Sequence, residues 1–149
     1  MTKKEQPSGH VSILEHSGDL EFRARGRDFF EALANASAAM IGQIVPLERI
    51  EDREEIPITA EGGDEPAQAV AFLNELLFLV YARRWLPHRV RTLTRCWRQG
   101  CNQIEATVVG EPWDPNRHPS KYEIKAVTYH DLSVSQEGGV TTIQFVCDL

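Results

Sequence analysis

No stretch of this 149-residue sequence is apolar enough to cross a bilayer. The longest candidate, Ala67 to Ala82, is interrupted by Gln68, Asn74 and Glu75, so no membrane association is expected. The first residues, Met1-Thr2-Lys3-Lys4-Glu5-Gln6-Pro7, are positively charged but have no apolar segment behind them, which argues against a secretory signal. Cysteine is scarce. The three residues Cys96, Cys101 and Cys147 are odd in number and form no Cys-x-x-Cys pair, which excludes a zinc-finger spacing and predicts free thiols in a reducing, cytoplasmic compartment. Gly-rich phosphate loops, nucleophile elbows and His-Glu-x-x-His helices are also missing, so the common enzyme signatures have no support. An excess of basic residues is lacking too: 16 Lys and Arg face 22 Asp and Glu, for a net charge of −6, and such a chain is repelled by phosphate backbones.

What is present fits one domain with its own core. Residues 1–8 read as a flexible tail and residues 9–149 as the domain. Val11-Ser12-Ile13 and then Leu20, Phe22 and Ala24 alternate around the loop Glu15 to Asp19, predicting two strands. Asp28 and Glu31 have the spacing of a capping box, and apolar residues follow at helical spacing to Ile44 before Pro46. Glu54 to Ala60 alternates but contains Pro57, which predicts an edge strand. Asp64-Glu65-Pro66 opens a second helix with a wide apolar face through Tyr81. Strands are expected over Arg89 to Arg98, Asn102 to Val109, Tyr122 to Ser135 and Val140 to Cys147, with turns at Gln99-Gly100 and Gly138-Gly139. The order predicts an α+β two-layer sandwich, with two helices packed on a mostly antiparallel or mixed β-sheet.

Carboxylates stand where a core does not need them. Asp19 lies at a loop–strand junction, and Asp148 follows the apolar run Ile143 to Cys147 and precedes Leu149, whose α-carboxylate adds another charge. If the last strand pairs beside one of the first two, these oxygens converge, and the set suits calcium, magnesium or manganese better than zinc. From spacing alone, a turn cap at Asp19 and a solvated Asp148 are the favoured reading.

The residues also carry a resemblance. Gly9 to Gly26, with His16 and Asp19, is similar to the archease opening in which His-Thr-Ala-Asp precedes an alternating strand, although Ser17-Gly18 stand for Thr-Ala. Gly110-Glu111, His118 and the block Glu123 to His130 resemble that family's second signature, and Asp148-Leu149 resembles its Asp-Ile ending. The resemblance implies the archease fold and a divalent cation, calcium foremost, held by Asp19, Asp148 and Leu149. It assigns Lys125 a functional role and leaves His16, Glu111 and His118 as supporting or partner-facing candidates. It further implies a protein that is not itself an enzyme. Such a protein activates an RtcB-type RNA ligase by promoting its guanylylation and multiple turnover in tRNA splicing or RNA repair, meeting RNA only through the ligase.

Blander readings stand beside these. His16 can orient a carboxylate or bond a turn, Lys125 can be an outward strand lysine, and solvation of a proline-rich loop accounts for Glu111 and His118 nearly as well. Trp85, Trp97 and Trp113 are expected in core or half-buried packing. Arg83, Arg84, Arg89, Arg91, Arg95 and Arg98 form a basic run that reads as a solvated sheet face. The rival function is a metal-dependent hydrolase, which needs a positioned base and an open coordination site that the sequence does not display.

Overall fold

The structure is a computed structural model, describing the backbone of Thr2–Glu5 together with residues 10–96 and 98–149. Thr2–Glu5 form β1, antiparallel to β2 (Val11–His16), with Lys4 opposite Ile13. This corrects the expected loose tail for residues 2–5, because pairing satisfies backbone groups that β2 would otherwise expose. Residues 1 and 6–8 of that tail, like Trp97, lie outside the described residues.

A two-residue turn, Ser17-Gly18, leads from β2 into β3 (Asp19–Gly26). Gly18 has φ +89°, a conformation that glycine adopts without the steric cost of a side chain. Helix α1 (Phe29–Ile44) starts as its sequence predicts: the Asp28 side chain accepts a hydrogen bond from the Glu31 N–H at 2.8 Å, and the Glu31 carboxylate accepts from the Arg27 N–H. Its inner face buries Phe29, Leu33, Met40 and Ile44. Strand β4 (Glu54–Glu61) is followed by helix α2 (Glu65–Tyr81), where Asp64 caps the Ala67 N–H. Strands β5 (Trp85–Arg95), β6 (Gln103–Pro112), β7 (Ala126–Glu137) and β8 (Val140–Asp148) complete the chain.

The strands divide into two sheets rather than the single one the element order suggested. One has the order β1-β2-β3-β8-β7 and the other β4-β6-β5, with every pair antiparallel. Helix α1 packs on β3, β5 and β8, and α2 packs on β4, β5 and β7, so the two helices tie the sheets into one α+β unit. Strand β4 lies on an edge, where Pro57 removes no interior ladder bond. Phe22 of β3 and Phe145 of β8 are register partners whose rings stack at 4.7 Å in the core. Such a pair contributes about 1 kcal/mol beyond its buried area. No helix among the described residues is long and apolar enough to cross a membrane.

Two local expectations change. Cys96 and Cys101 are joined in a disulfide across the end of the β5–β6 hairpin, with Cα atoms 6.1 Å apart, instead of remaining free; Cys147 is free and buried. The hairpin ladder supplies the approach, since Cys96 N–H bonds Gln103 O. Strand β7 begins at Ala126 instead of Tyr122, because the preceding backbone is committed elsewhere: Lys121 N–H to Ile44 O, Tyr122 N–H to Gln43 O and Ile124 N–H to the Tyr81 hydroxyl. The basic run is exposed, as a solvated face requires, and three of its six arginines form ion pairs there: Arg89 with Asp52 at 2.8 Å, Arg91 with Glu55, and Arg95 with Glu65 at 3.0 Å.

Candidate functional site

The order of the five-stranded sheet brings both ends of the sequence to one place. His16 pairs with Asp19, Asp19 with Asp148, and Asp148 with Ala126, so four residues form a row across β2, β3, β8 and β7. Residues directly opposite in an antiparallel sheet project to the same face. Their strand neighbours Leu20 and Cys147 are buried against the helices, which places Asp19 and Asp148 on the opposite face. Two backbone bonds close the end: Leu149 N–H donates to Gly18 O at 3.0 Å, and Lys125 N–H donates to Asp148 O at 2.8 Å. His16, Asp19, Lys125, Asp148 and Leu149 thus share one sheet end.

Like charges directly opposite across two strands are destabilising unless something offsets them. Among the described residues, neither the Asp19 nor the Asp148 carboxylate has a hydrogen-bond or ion-pair partner, and no group of three His, Cys, Asp or Glu side chains is disposed to hold a metal ion. The pair offers two hard oxygen donors, a chemistry suited to calcium, magnesium or manganese, and needs a third oxygen group to make a set. Beside it, burial pushes the Cys147 thiol pKa up, and the Asp148 charge adds to that shift, so Cys147 stays a neutral thiol.

Glu111 and His118 are not part of this row, and they are neither solvated nor exposed to a partner. Glu111 is 0 % and His118 1 % exposed. Glu111 lies near the end of β6, opposite Leu86. Its carboxylate accepts from Arg117 through Nη1 at 2.9 Å and Nη2 at 3.0 Å, and from the Glu51 N–H at 2.8 Å. His118 Nε2 lies 2.9 Å from Glu111 Oε2, while its Nδ1 accepts from the Asp114 N–H at 2.9 Å. An acceptor at Nδ1 fixes the neutral tautomer that donates from Nε2. Arg117, foremost, holds the Glu111 pKa down from 4.5 to about 2. The cluster staples the proline-rich loop to the second sheet.

Two residues of α2 that the sequence marks only as part of the helix prove to hold the segment bearing Lys125. The Asn74 amide bonds both the N–H and the carbonyl of Val127, at 2.9 and 3.1 Å, and the Tyr81 hydroxyl accepts from Ile124. A polar Asn interrupting an apolar helix was the available signal. Trp85 is buried with Nε1 on Glu54, and Trp113 is half-buried against Tyr81, as core packing predicts.

Comparison with known proteins agrees with this architecture. Residues 12–149 match the model of the archease protein family (MTH1598/TM1083). The archease of Methanopyrus kandleri is 33% identical over 138 residues, covering 91% of this chain and 96% of that protein. The solution structure of Methanobacterium thermoautotrophicum protein 1598 superposes with a TM-score of 0.77 at 25% identity, over 94% of this chain and 99% of that one. The crystal structure of a Thermotoga maritima archease, described as a possible chaperone, shares the fold with a TM-score of 0.64 at 23% identity, over 91% and 94% of the two chains. With the family model spanning both halves of the carboxylate row and the chain's two helices, this chain belongs to the archease family.

Proposed function

We propose that this chain is an accessory protein, not itself an enzyme, that promotes the guanylylation and repeated turnover of an RtcB-type RNA ligase in cytoplasmic tRNA splicing or RNA repair. The observation that carries the reading is the register pair Asp19 with Asp148, two carboxylates held opposite each other, neither with a hydrogen-bond or ion-pair partner among the described residues. The residues that would hold a divalent cation, calcium foremost, are Asp19, Asp148 and Leu149 through its main-chain carboxylate, which supplies the third oxygen group. A bound cation would offset the repulsion between the carboxylates and give this end of the sheet a fixed charge distribution.

The chain's own contribution is positioning. Backbone bonds from Leu149 to Gly18 and from Lys125 to Asp148 keep the donors and the lysine on one rigid edge. Docked beside the ligase's nucleotide site, that edge favours the ligase conformation competent for guanylylation, which is a shift of population rather than a chemical step. The exposed Lys125 ammonium would contact phosphate oxygens there. The Thermotoga relative's description as a possible chaperone is in keeping with an accessory role.

The test is reconstitution of ligase charging with GTP and a divalent cation, with and without this protein. Multiple-turnover joining that is undiminished by Asp19→Ala or Asp148→Ala would sink the reading. Adding residues after Leu149 tests the third oxygen group, since unchanged cation affinity would remove Leu149 from the set.

A further inference from the structure

An open groove of about 560 Å³ follows the outer face of α1, bounded by the turn after that helix and by the start of β2. Small-molecule sites have volumes of roughly 300 to 1,000 Å³. None of the residues lining the groove belongs to the carboxylate row. Asn35, Ala38, Ala39 and Gly42 recur at helical spacing and form its floor. An outward helical stripe ordinarily carries charged or long polar side chains, whereas three of these four positions are bare. Glycine inside a helix is destabilising relative to alanine. A Cβ at Gly42 would touch only Leu47, at 3.5 and 3.6 Å, which is ordinary contact. Packing therefore does not call for glycine there, and its missing side chain leaves the floor flat.

Gln43 also lines the groove and is 6 % exposed. Its Oε1 is the one buried side-chain oxygen or nitrogen without a hydrogen-bond partner among the described residues. Buried amides are normally answered, so this one destabilises the free chain. The last torsion of a glutamine has no sharp preference, and rotation about it presents the amide to the groove. Two charges stand at the rim. Glu48 and Lys121 are exposed, and among the described residues neither forms an ion pair, with the other or elsewhere. Lys121 N–H bonds Ile44 O at 2.7 Å and Tyr122 N–H bonds Gln43 O at 3.0 Å. These bonds fix the lysine stem beside the groove. They also answer two of the last carbonyls of α1, whose partial negative charge opposes an anion.

We propose that this groove is a binding site for a mononucleotide, adenine foremost, in which Gln43 reads the base edge, Lys121 meets the phosphate and Glu48 the ribose hydroxyls. The donor set selects the ligand. A flat aliphatic floor with Leu47 beside it takes the face of a planar ring. A carboxamide offers a donor and an acceptor side by side, the complement of adenine's amino group and adjacent ring nitrogen. An ammonium binds phosphate as a point charge, and a carboxylate accepts from ribose hydroxyls, as in dinucleotide sites. One nucleotide fits better than a strand, because each further phosphate meets Glu48 and a chain of net charge −6. The site is independent of the ligase reading and stands or falls without it.

The experiment titrates AMP into the isotope-labelled full chain, following amide signals and calorimetric heat, with GMP, deoxy-AMP, adenosine and inorganic phosphate as companions. Saturable AMP binding that moves the signals of Ala39, Gly42 and the Gln43 side chain is expected. Adenosine, deoxy-AMP and GMP should each bind roughly 10-fold more weakly than AMP, having lost one hydrogen-bonded contact. Ala39→Leu fills the floor with a good helix former, and Lys121→Ala changes an exposed side chain, so both should keep the fold. The first should abolish binding. The second should weaken AMP roughly 10-fold and leave adenosine unaffected. Gln43→Leu should lose binding yet melt no lower than wild type, because an apolar group replaces an unanswered polar one. Absence of saturable AMP binding at millimolar concentration overturns the proposal. Binding that Ala39→Leu leaves intact, signal shifts that phosphate alone reproduces, or equal affinity for GMP overturns it as well.

Discussion

The molecule treats its carboxylates in two opposite ways. Around Glu111 every acceptor is answered from within the fold, by Arg117, His118 and the Glu51 N–H, and the side chain is sealed from water. At the sheet end, Asp19 and Asp148 face each other with no partner among the described residues. The first arrangement stabilises the fold and has nothing left to offer a ligand. The second opposes folding slightly and leaves two hard oxygen donors open, as the proposed cation site requires.

The contrast is broken most directly by removing one member of each set. Asp148→Asn should weaken divalent-cation binding by roughly 100-fold, at the upper end for groups around a metal, with the metal-free protein melting no lower than wild type because a repulsion is removed. Isothermal titration and metal-free melting check both parts. Glu111→Gln should do the reverse, costing about 2 to 4 kcal/mol by leaving buried donors without a charge to answer them, with cation affinity retained. Urea unfolding measures that loss.

The pH dependence sharpens the same difference. Glu111 has its pKa lowered in the folded state, so its stabilisation is full above 4.5 and is lost as pH falls toward about 2. Wild-type stability should therefore fall across that window more steeply than that of Glu111→Gln, which lacks the titrating group; acid unfolding of the two proteins compares them. The smallest effect is expected from reducing the Cys96–Cys101 bond. It closes a short loop and should contribute at most about 2 kcal/mol, with cation affinity unmoved, since the β5–β6 hairpin belongs to the other sheet.

Local features were the most legible in the sequence. Asp28 and Asp64 cap the helices they precede, and Pro57 marks an edge. The convergence of Asp19 with Asp148 was readable as a condition, that the last strand pair beside one of the first two, and β8 meets it by pairing with β3. What stayed hidden depends on partners far along the chain. Glu111 is buried because residue 51, sixty positions away, meets it, and no periodicity announces that. Strand β7 bulges between Thr128 and Ser133, a mismatch with β8 that exists in neither strand alone. The Cys96–Cys101 bond depends on two strand ends meeting beyond a hairpin, which an odd cysteine count does not convey.

Strand β8 occupies an interior position, between β3 and β7, and pairs with residues more than a hundred positions earlier in the sequence. The opening hairpin must therefore wait, with one side unsatisfied, for synthesis to reach residues 140–148. Pairing over so long a separation is slow, and the nascent chain is most prone to aggregate during the interval. A chain stalled before residue 148 lacks the Asp19–Asp148 row altogether. The two carboxylates therefore come into register only once β8 has docked between its neighbours.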